Sequence, residues 1–136
     1  MNLTAIIPTL NEEQNIKEAI DSVSFADEVL VIDSFSTDGT VEIAKELKAK
    51  VIEYKFDNFS AQKNRAIEKA SGKWILLLDA DERISKELRE EIITLLNSNV
   101  VHDAYWVFRK NSFLGKEVRF SGWQNDKVIR LFQKEH

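Results

Sequence analysis

Three features of this sequence predict an α/β chain with a doubly wound, mostly parallel sheet flanked by helices. Short apolar runs alternate with segments of helical spacing through the first hundred residues. The connections between them are brief, as parallel strands joined by crossover helices require. One run, Trp74 to Leu78, is wholly apolar, the pattern of a strand buried on both faces of a parallel sheet.

Taken in order, LTAIIP (3–8) reads as the first buried strand. Ile16, Ala19, Ile20 and Val23 then recur at helical spacing, with Asn11 as the N-cap and Glu12 and Glu13 favouring the positive helix start. EVLVID (28–33) is the second strand, and STDGT leads into a helix with Val41, Ala44 and Leu47 on one face. In that turn Asp38 and Gly39 read as turn and cap residues. KVIEY (50–54) is a shorter third strand. A helix over about 60–71 turns Ile67 and Ala70 inward, and Gly72 stops it. WILLLD (74–79) is the fourth strand, after which Ser85 caps a helix whose apolar face is Leu88, Ile92, Leu95 and Leu96.

Beyond residue 100 the pattern changes. AYWVFR (104–109) and KVIRLF (127–132) read as strands, and seven of the chain's 13 aromatic residues lie in 105–132. The sequence ends at QKEH with no helix to cover those aromatics. A homodimer partner or further chain is expected to cover them, and a fold truncated at its C-terminus is the preferred reading.

The whole-chain quantities bound the function. A length of 136 residues suits one domain, and 43% hydrophobic with 31% charged residues is an ordinary globular balance. There is no cysteine, so thiolate metal sites and disulfides are excluded and a reducing, cytoplasmic location is expected. The N-terminal stretch reads as neither a signal peptide nor a membrane anchor. A net charge of −4 argues against a general nucleic-acid binder. The last 37 residues carry a surplus of basic groups. That surplus suits an anionic ligand or peripheral association with a membrane surface, although plain surface solvation is the commoner cause.

The chemistry concentrates where strands end. In open parallel sheets ligands bind beyond the carboxyl ends of the strands, near the point where strand order reverses. Here those ends read Pro8-Thr9-Leu10-Asn11-Glu12, Asp33-Ser34 and Asp79-Ala80-Asp81, with Glu82 following. Two carboxylates about 5 Å apart repel by roughly 3 kcal/mol at an effective dielectric of about 20. Carboxylate oxygens are preferred ligands of hard cations such as Mg²⁺ and Mn²⁺, and a metal bridging Asp81 to a diphosphate would offset that repulsion. Bland readings stand beside this one. Asp33 could cap a turn, Lys63 and Asn64 could form a solvated helix face, and Glu82 with Arg83 could be a surface ion pair. His102 and His136 read as surface residues, and Trp123 as either a core aromatic or a sugar-stacking one.

The segments PTLNE (8–12), VIDSFSTDGT (31–40), AQKNRAI (61–67) and LLLDADER (76–83) resemble the nucleotide-sugar-binding half of a family two glycosyltransferase with the GT-A fold. FSGW (120–123) and VIRLF (128–132) are similar to the subgroup that includes lipopolysaccharide-core β-1,4-glucosyltransferases. The resemblance implies one glycosyltransferase domain over 1–136, with 1–100 the donor-binding half and 101–136 the start of the acceptor side. It implies that Pro8, Thr9, Asn11 and Glu12 line the nucleoside pocket and that Asp33 accepts a hydrogen bond from the base. Lys63 and Asn64 would lie beside the base or diphosphate, Asp79 would hold the ribose, and Asp81 would ligate Mn²⁺ or Mg²⁺. Phe35 stands where the family usually has glycine.

The implied reaction is inverting transfer of a sugar, glucose from UDP-glucose, to a saccharide or lipid-linked acceptor in cell-envelope polysaccharide synthesis. It would take place in the cytoplasm or at the inner face of the membrane. Asp126 is the one acid near the acceptor-side motif and a candidate general base, but a base beyond this sequence is the preferred reading. The rivals are a haloacid-dehalogenase-like phosphatase, which also places Asp-x-Asp after an apolar strand, and a non-catalytic nucleotide-binding module.

Overall fold

The computed structural model describes residues 2–98, 104–108, 114–116 and 127–134. The chain runs β1 (Leu3–Thr9), α1 (Ile16–Ser22), β2 (Glu28–Asp33), α2 (Thr40–Glu46), β3 (Lys50–Glu53), α3 (Phe59–Lys69), β4 (Trp74–Leu77) and α4 (Lys86–Leu96). Three further strands follow, β5 (Ala104–Phe108), β6 (Leu114–Lys116) and β7 (Lys127–Gln133). All seven strands join one sheet in the order β3-β2-β1-β4-β7-β5-β6. The first four are mutually parallel, while β7 runs antiparallel to β4, β5 to β7, and β6 to β5. Strands β5, β6 and β7 thus extend the same sheet, and β6 is a strand that the sequence pattern did not reveal.

Alternation along the strands sorts the core into two layers. Leu3, Ala5 and Ile7 of β1 pack with Val31, Trp74, Leu76 and the inward faces of α1, α2 and α4. Ile6 turns to the other face with Leu30, Ile32, Ile75 and Leu77, where α3 supplies Ala66 and Ala70. Each large apolar side chain so buried contributes about 1.5–3 kcal/mol. Having helices on both faces is the reason the central strands carry unbroken apolar runs.

Local details depart from expectation in three places. Asn11 is not the cap of α1: its φ is 55°, in the left-handed region. The helix starts after Asn15 instead, whose N–H donates to the Glu12 carbonyl. Gly72 is not a helix stop. α3 ends at Ala70 in an extended conformation, and a Cβ on Gly72 would lie 2.6 Å from the Thr4 backbone nitrogen. It is glycine because β1 passes that close. On α3 the buried residues are Gln62, Ala66 and Ala70, with Ile67 only partly covered. Ser85 does cap α4, accepting from the Leu88 N–H at 3.1 Å.

Candidate active site

The order β3-β2-β1-β4 reverses direction between β1 and β4, since the chain leaves β1 toward β2 and returns on its other side. Loops from both sides diverge there, and a cleft of about 480 Å³ opens beyond the strand ends. Pro8, Thr9, Leu10 and Glu12 line it from β1 and its loop, Ser34 from β2, Phe56 from beyond β3, and Gln62 from α3. Asp79, Ala80 and Asp81 line it from beyond β4. That volume lies in the range of small-molecule sites.

One wall is built by lacing the loops after β1 and β2. The Asn11 N–H donates to Ser36 Oγ at 2.8 Å, and the Thr37 N–H donates back to Asn11 Oδ1 at 2.8 Å. The Glu12 N–H reaches Thr40 Oγ1 at 2.8 Å, and the Gly39 N–H reaches Glu13 Oε1 at 2.8 Å. Asp38 accepts from the Glu13 N–H at 3.2 Å and from the N–H and hydroxyl of Thr40. Desolvation pushes the Asp38 carboxyl up, but the Thr40 and Glu13 donors outweigh it and hold the group below its ordinary range. The turn reading of Asp38 and Gly39 agrees with this network.

Beneath that wall the Asp33 carboxylate is wholly buried. It accepts from Thr9 Oγ1 at 2.6 Å, from the Ser36 N–H at 2.7 Å and from the Ser36 hydroxyl. Asp33 therefore orders the Ser34–Ser36 turn from behind the cleft. Phe35, within that turn, has φ 59° and is 54% exposed. The backbone conformation explains why glycine suits this position, and the phenyl ring projects outward without filling the cleft.

The opposite wall is the turn after β4. The Glu82 N–H donates to the Asp79 carbonyl at 2.9 Å, closing Asp79–Glu82. Carboxylate oxygens of Asp79, Asp81 and Glu82 lie within 4.8 Å of one another. Opposite oxygens around a Mg²⁺ ion are about 4.0–4.2 Å apart, so this donor set would have to draw together modestly to surround one ion. An all-oxygen set of this charge suits Mg²⁺ or Mn²⁺. Arg83 takes Glu18 of α1 as its carboxylate partner, at 3.3 Å.

Of the residues singled out in the sequence, Pro8, Thr9, Glu12, Asp79 and Asp81 come together in the cleft. Asn11 spends its side-chain oxygen on Thr37, Asp33 lies behind Thr9, and Lys63 and Asn64 lie on α3 away from the lining. Asp126, Trp123, His102, His136 and the segment 120–123 lie outside the described residues. Gln62, Leu10 and Phe56 were not anticipated. Gln62 is buried and donates to Ser34 Oγ at 2.9 Å, a role that helical phase relative to Ala66 and Ala70 would have revealed.

A mixed sheet, parallel in its first four strands, with an acidic turn at its switch point is the arrangement expected of a GT-A glycosyltransferase domain. The model of the family "Glycosyl transferase family 2" matches residues 4–135, and the chain belongs to that family. An uncharacterized glycosyltransferase of Rickettsia typhi is 46% identical over 98% of this chain and 47% of its own length. The lipopolysaccharide core biosynthesis glycosyltransferase LpsC of Rhizobium meliloti is 32% identical over 97% of this chain and 51% of its own. The chain thus spans about half the length of these relatives. A mannosyltransferase from Pyrobaculum calidifontis, in complex with GDP-Man and Mn²⁺, shares the fold with a TM-score of 0.71. It is 22% identical over 98% of this chain and 45% of its own. Glucosyl-3-phosphoglycerate synthase from Mycobacterium tuberculosis, in complex with Mn²⁺, UDP and glucosyl-3-phosphoglycerate, is 28% identical. It covers 58% of this chain and 33% of its own, with a TM-score of 0.53. Among the described residues no helix is long and apolar enough to cross a membrane.

Proposed function

We propose that this chain forms the donor-binding part of a metal-dependent glycosyltransferase that takes a UDP-sugar, UDP-glucose, and passes the sugar to a saccharide or lipid-linked acceptor. The observation that carries the reading is the turn of Asp79, Asp81 and Glu82 on the wall of a cleft at the switch point of the sheet. The likeness to LpsC supports a role in envelope polysaccharide synthesis, and the synthase crystallised with UDP and Mn²⁺ supports the donor and the ion.

Within this reading Pro8, Thr9 and Leu10 flank the base from one side and Phe56 from the other, while Asp33 and Asn11 stiffen the turn beneath it. Asp79 accepts from the ribose hydroxyls, and Asp81 holds Mn²⁺ or Mg²⁺ against the diphosphate. When bound, the ion neutralises charge developing on the leaving nucleoside diphosphate. Inversion requires one displacement at the anomeric carbon, with the acceptor hydroxyl giving its proton to a carboxylate on the opposite face. Asp126 is the candidate within this sequence, but a base in the part of the relatives' length that the chain does not span is the preferred assignment.

The test is calorimetric titration of UDP, UDP-glucose and GDP, with and without Mn²⁺, on the native chain and on Asp81→Ala. UDP binding that strengthens with Mn²⁺ and loses that gain in the variant is the expected result. Binding indifferent to metal in the native chain would remove the proposal.

A further inference from the structure

Arg83 follows the acidic turn and folds back onto it. Its Nη1 donates to the carbonyl oxygen of Ala80 at 3.0 Å and to that of Glu82 at 2.8 Å, the two carbonyls that bracket Asp81. The remainder of the guanidinium reaches α1, with Nε on Glu18 Oε2 at 3.3 Å and Nη2 on Asn15 Oδ1 at 3.5 Å. Asn15 in turn leans on the opposite wall of the cleft, donating from its N–H to the Glu12 carbonyl at 3.0 Å and from Nδ2 to the Glu12 carboxylate at 3.0 Å. One planar group therefore ties the turn of Asp79 and Asp81 to the loop that lines the facing side.

We propose that Arg83 is a positioning residue that sets cation affinity by fixing the backbone of the Asp79–Glu82 turn against α1. The inference rests on the metal reading of that turn given above. Groups that orient ligands from behind a metal site are worth about 10–100-fold in affinity. The arrangement calls for arginine because two carbonyls and an α1 anchor need a planar fork of donors; lysine offers a single point charge. A cation near three carboxylates also eases their mutual repulsion, but by charge alone it disfavours a metal ion. The positioning and charge effects predict opposite signs, which makes the proposal decidable.

The experiment titrates Mn²⁺ into the protein saturated with UDP, and separately titrates UDP in the presence of EDTA, for the native chain, Arg83→Lys, Arg83→Gln and Glu18→Gln. Positioning predicts that both Arg83 variants weaken Mn²⁺ by about tenfold, while UDP binding without metal stays unchanged. Glu18 has a 73% exposed side chain, so Glu18→Gln keeps the fold and is expected to weaken Mn²⁺ by only about two- to threefold. Arg83→Lys keeps the charge, so charge alone predicts no change for it, and it carries the test if Arg83→Gln is unstable. Unchanged or tighter Mn²⁺ binding in these variants overturns the proposal, as does a loss of metal-free UDP binding, which would make Arg83 a phosphate ligand. A native chain showing no Mn²⁺-dependent UDP binding overturns the donor reading itself, and this inference with it.

Discussion

The Thr9 hydroxyl donates a 2.6 Å hydrogen bond to the buried carboxylate of Asp33, across the paired ends of β1 and β2. A buried carboxylate needs such donors, because desolvating an ion without partners is costly. Thr9→Val preserves shape and removes only the donor. It is expected to cost about 1–3 kcal/mol, the range for hydrogen bonds to charged groups, read as a lower urea midpoint with unchanged slope. An unchanged midpoint would mean that Ser36 alone satisfies Asp33.

Phe35 occupies the left-handed region at φ 59°. A side chain there costs roughly 1–2 kcal/mol, and glycine carries no such penalty but loses more chain entropy on folding. Phe35→Gly is therefore expected to be more stable than Phe35→Ala by about 1 kcal/mol, since the alanine keeps the strain and loses the ring. Thermal melting of the two variants compares them directly. Equal stabilities would place the turn outside the left-handed region in solution.

The close approach at Gly72 gives a sharper expectation. A Cβ there would meet Thr4 N at 2.6 Å, Thr4 Oγ1 at 2.7 Å and the Leu3 carbonyl carbon at 2.9 Å. Two of those three atoms are backbone in a central strand and cannot move aside. The Gly72 N–H also donates to Thr4 Oγ1 at 2.8 Å, a bond that any shift would stretch. Gly72→Ala is expected to cost about 2–3 kcal/mol, at the upper end for overpacking. Chemical denaturation would register it; a loss below 1 kcal/mol would show that the loop before β4 yields.

How much of this was legible in the sequence depends on what decides each feature. The four parallel strands and α4 were readable because apolar periodicity and the Ser85 cap are local signals. The acidic turn was readable because Asp79 and Asp81 follow a buried strand directly. Asn11 misled because an asparagine before acidic residues looks like a cap, whereas its side chain is claimed by Thr37, 26 residues away. Gly72 misled for a similar reason: its requirement comes from β1, 68 residues distant in sequence. Asp33 reads as a rim ligand until its burial under Thr9 and Ser36 is seen. Long-range pairings of this kind leave no periodic trace.

Glu28, at the start of β2, joins three elements at the edge opposite the cleft. Its carboxylate accepts from the Thr4 hydroxyl at 2.9 Å, the Ser71 N–H at 2.8 Å and the Ser71 hydroxyl at 3.3 Å. Burial pushes this carboxyl up, but those donors and the nearby Lys50 outweigh it, and its pKa is held below the ordinary 4.5. A group whose folded pKa is depressed binds more protons when unfolded, so stability rises with pH through the interval between the two values. The contribution is fully present above about 4.5 and is lost as pH falls through the folded value. Glu28→Gln keeps the length of the side chain and removes the charge. The native chain is expected to exceed the variant by on the order of 1 kcal/mol at neutral pH, and that margin should close as the pH drops below the carboxylate range. Urea unfolding of both proteins at steps between about pH 3 and pH 7 measures it. A margin that stays constant with pH would assign the effect to shape, because only the ionised carboxylate can lose its advantage by taking up a proton.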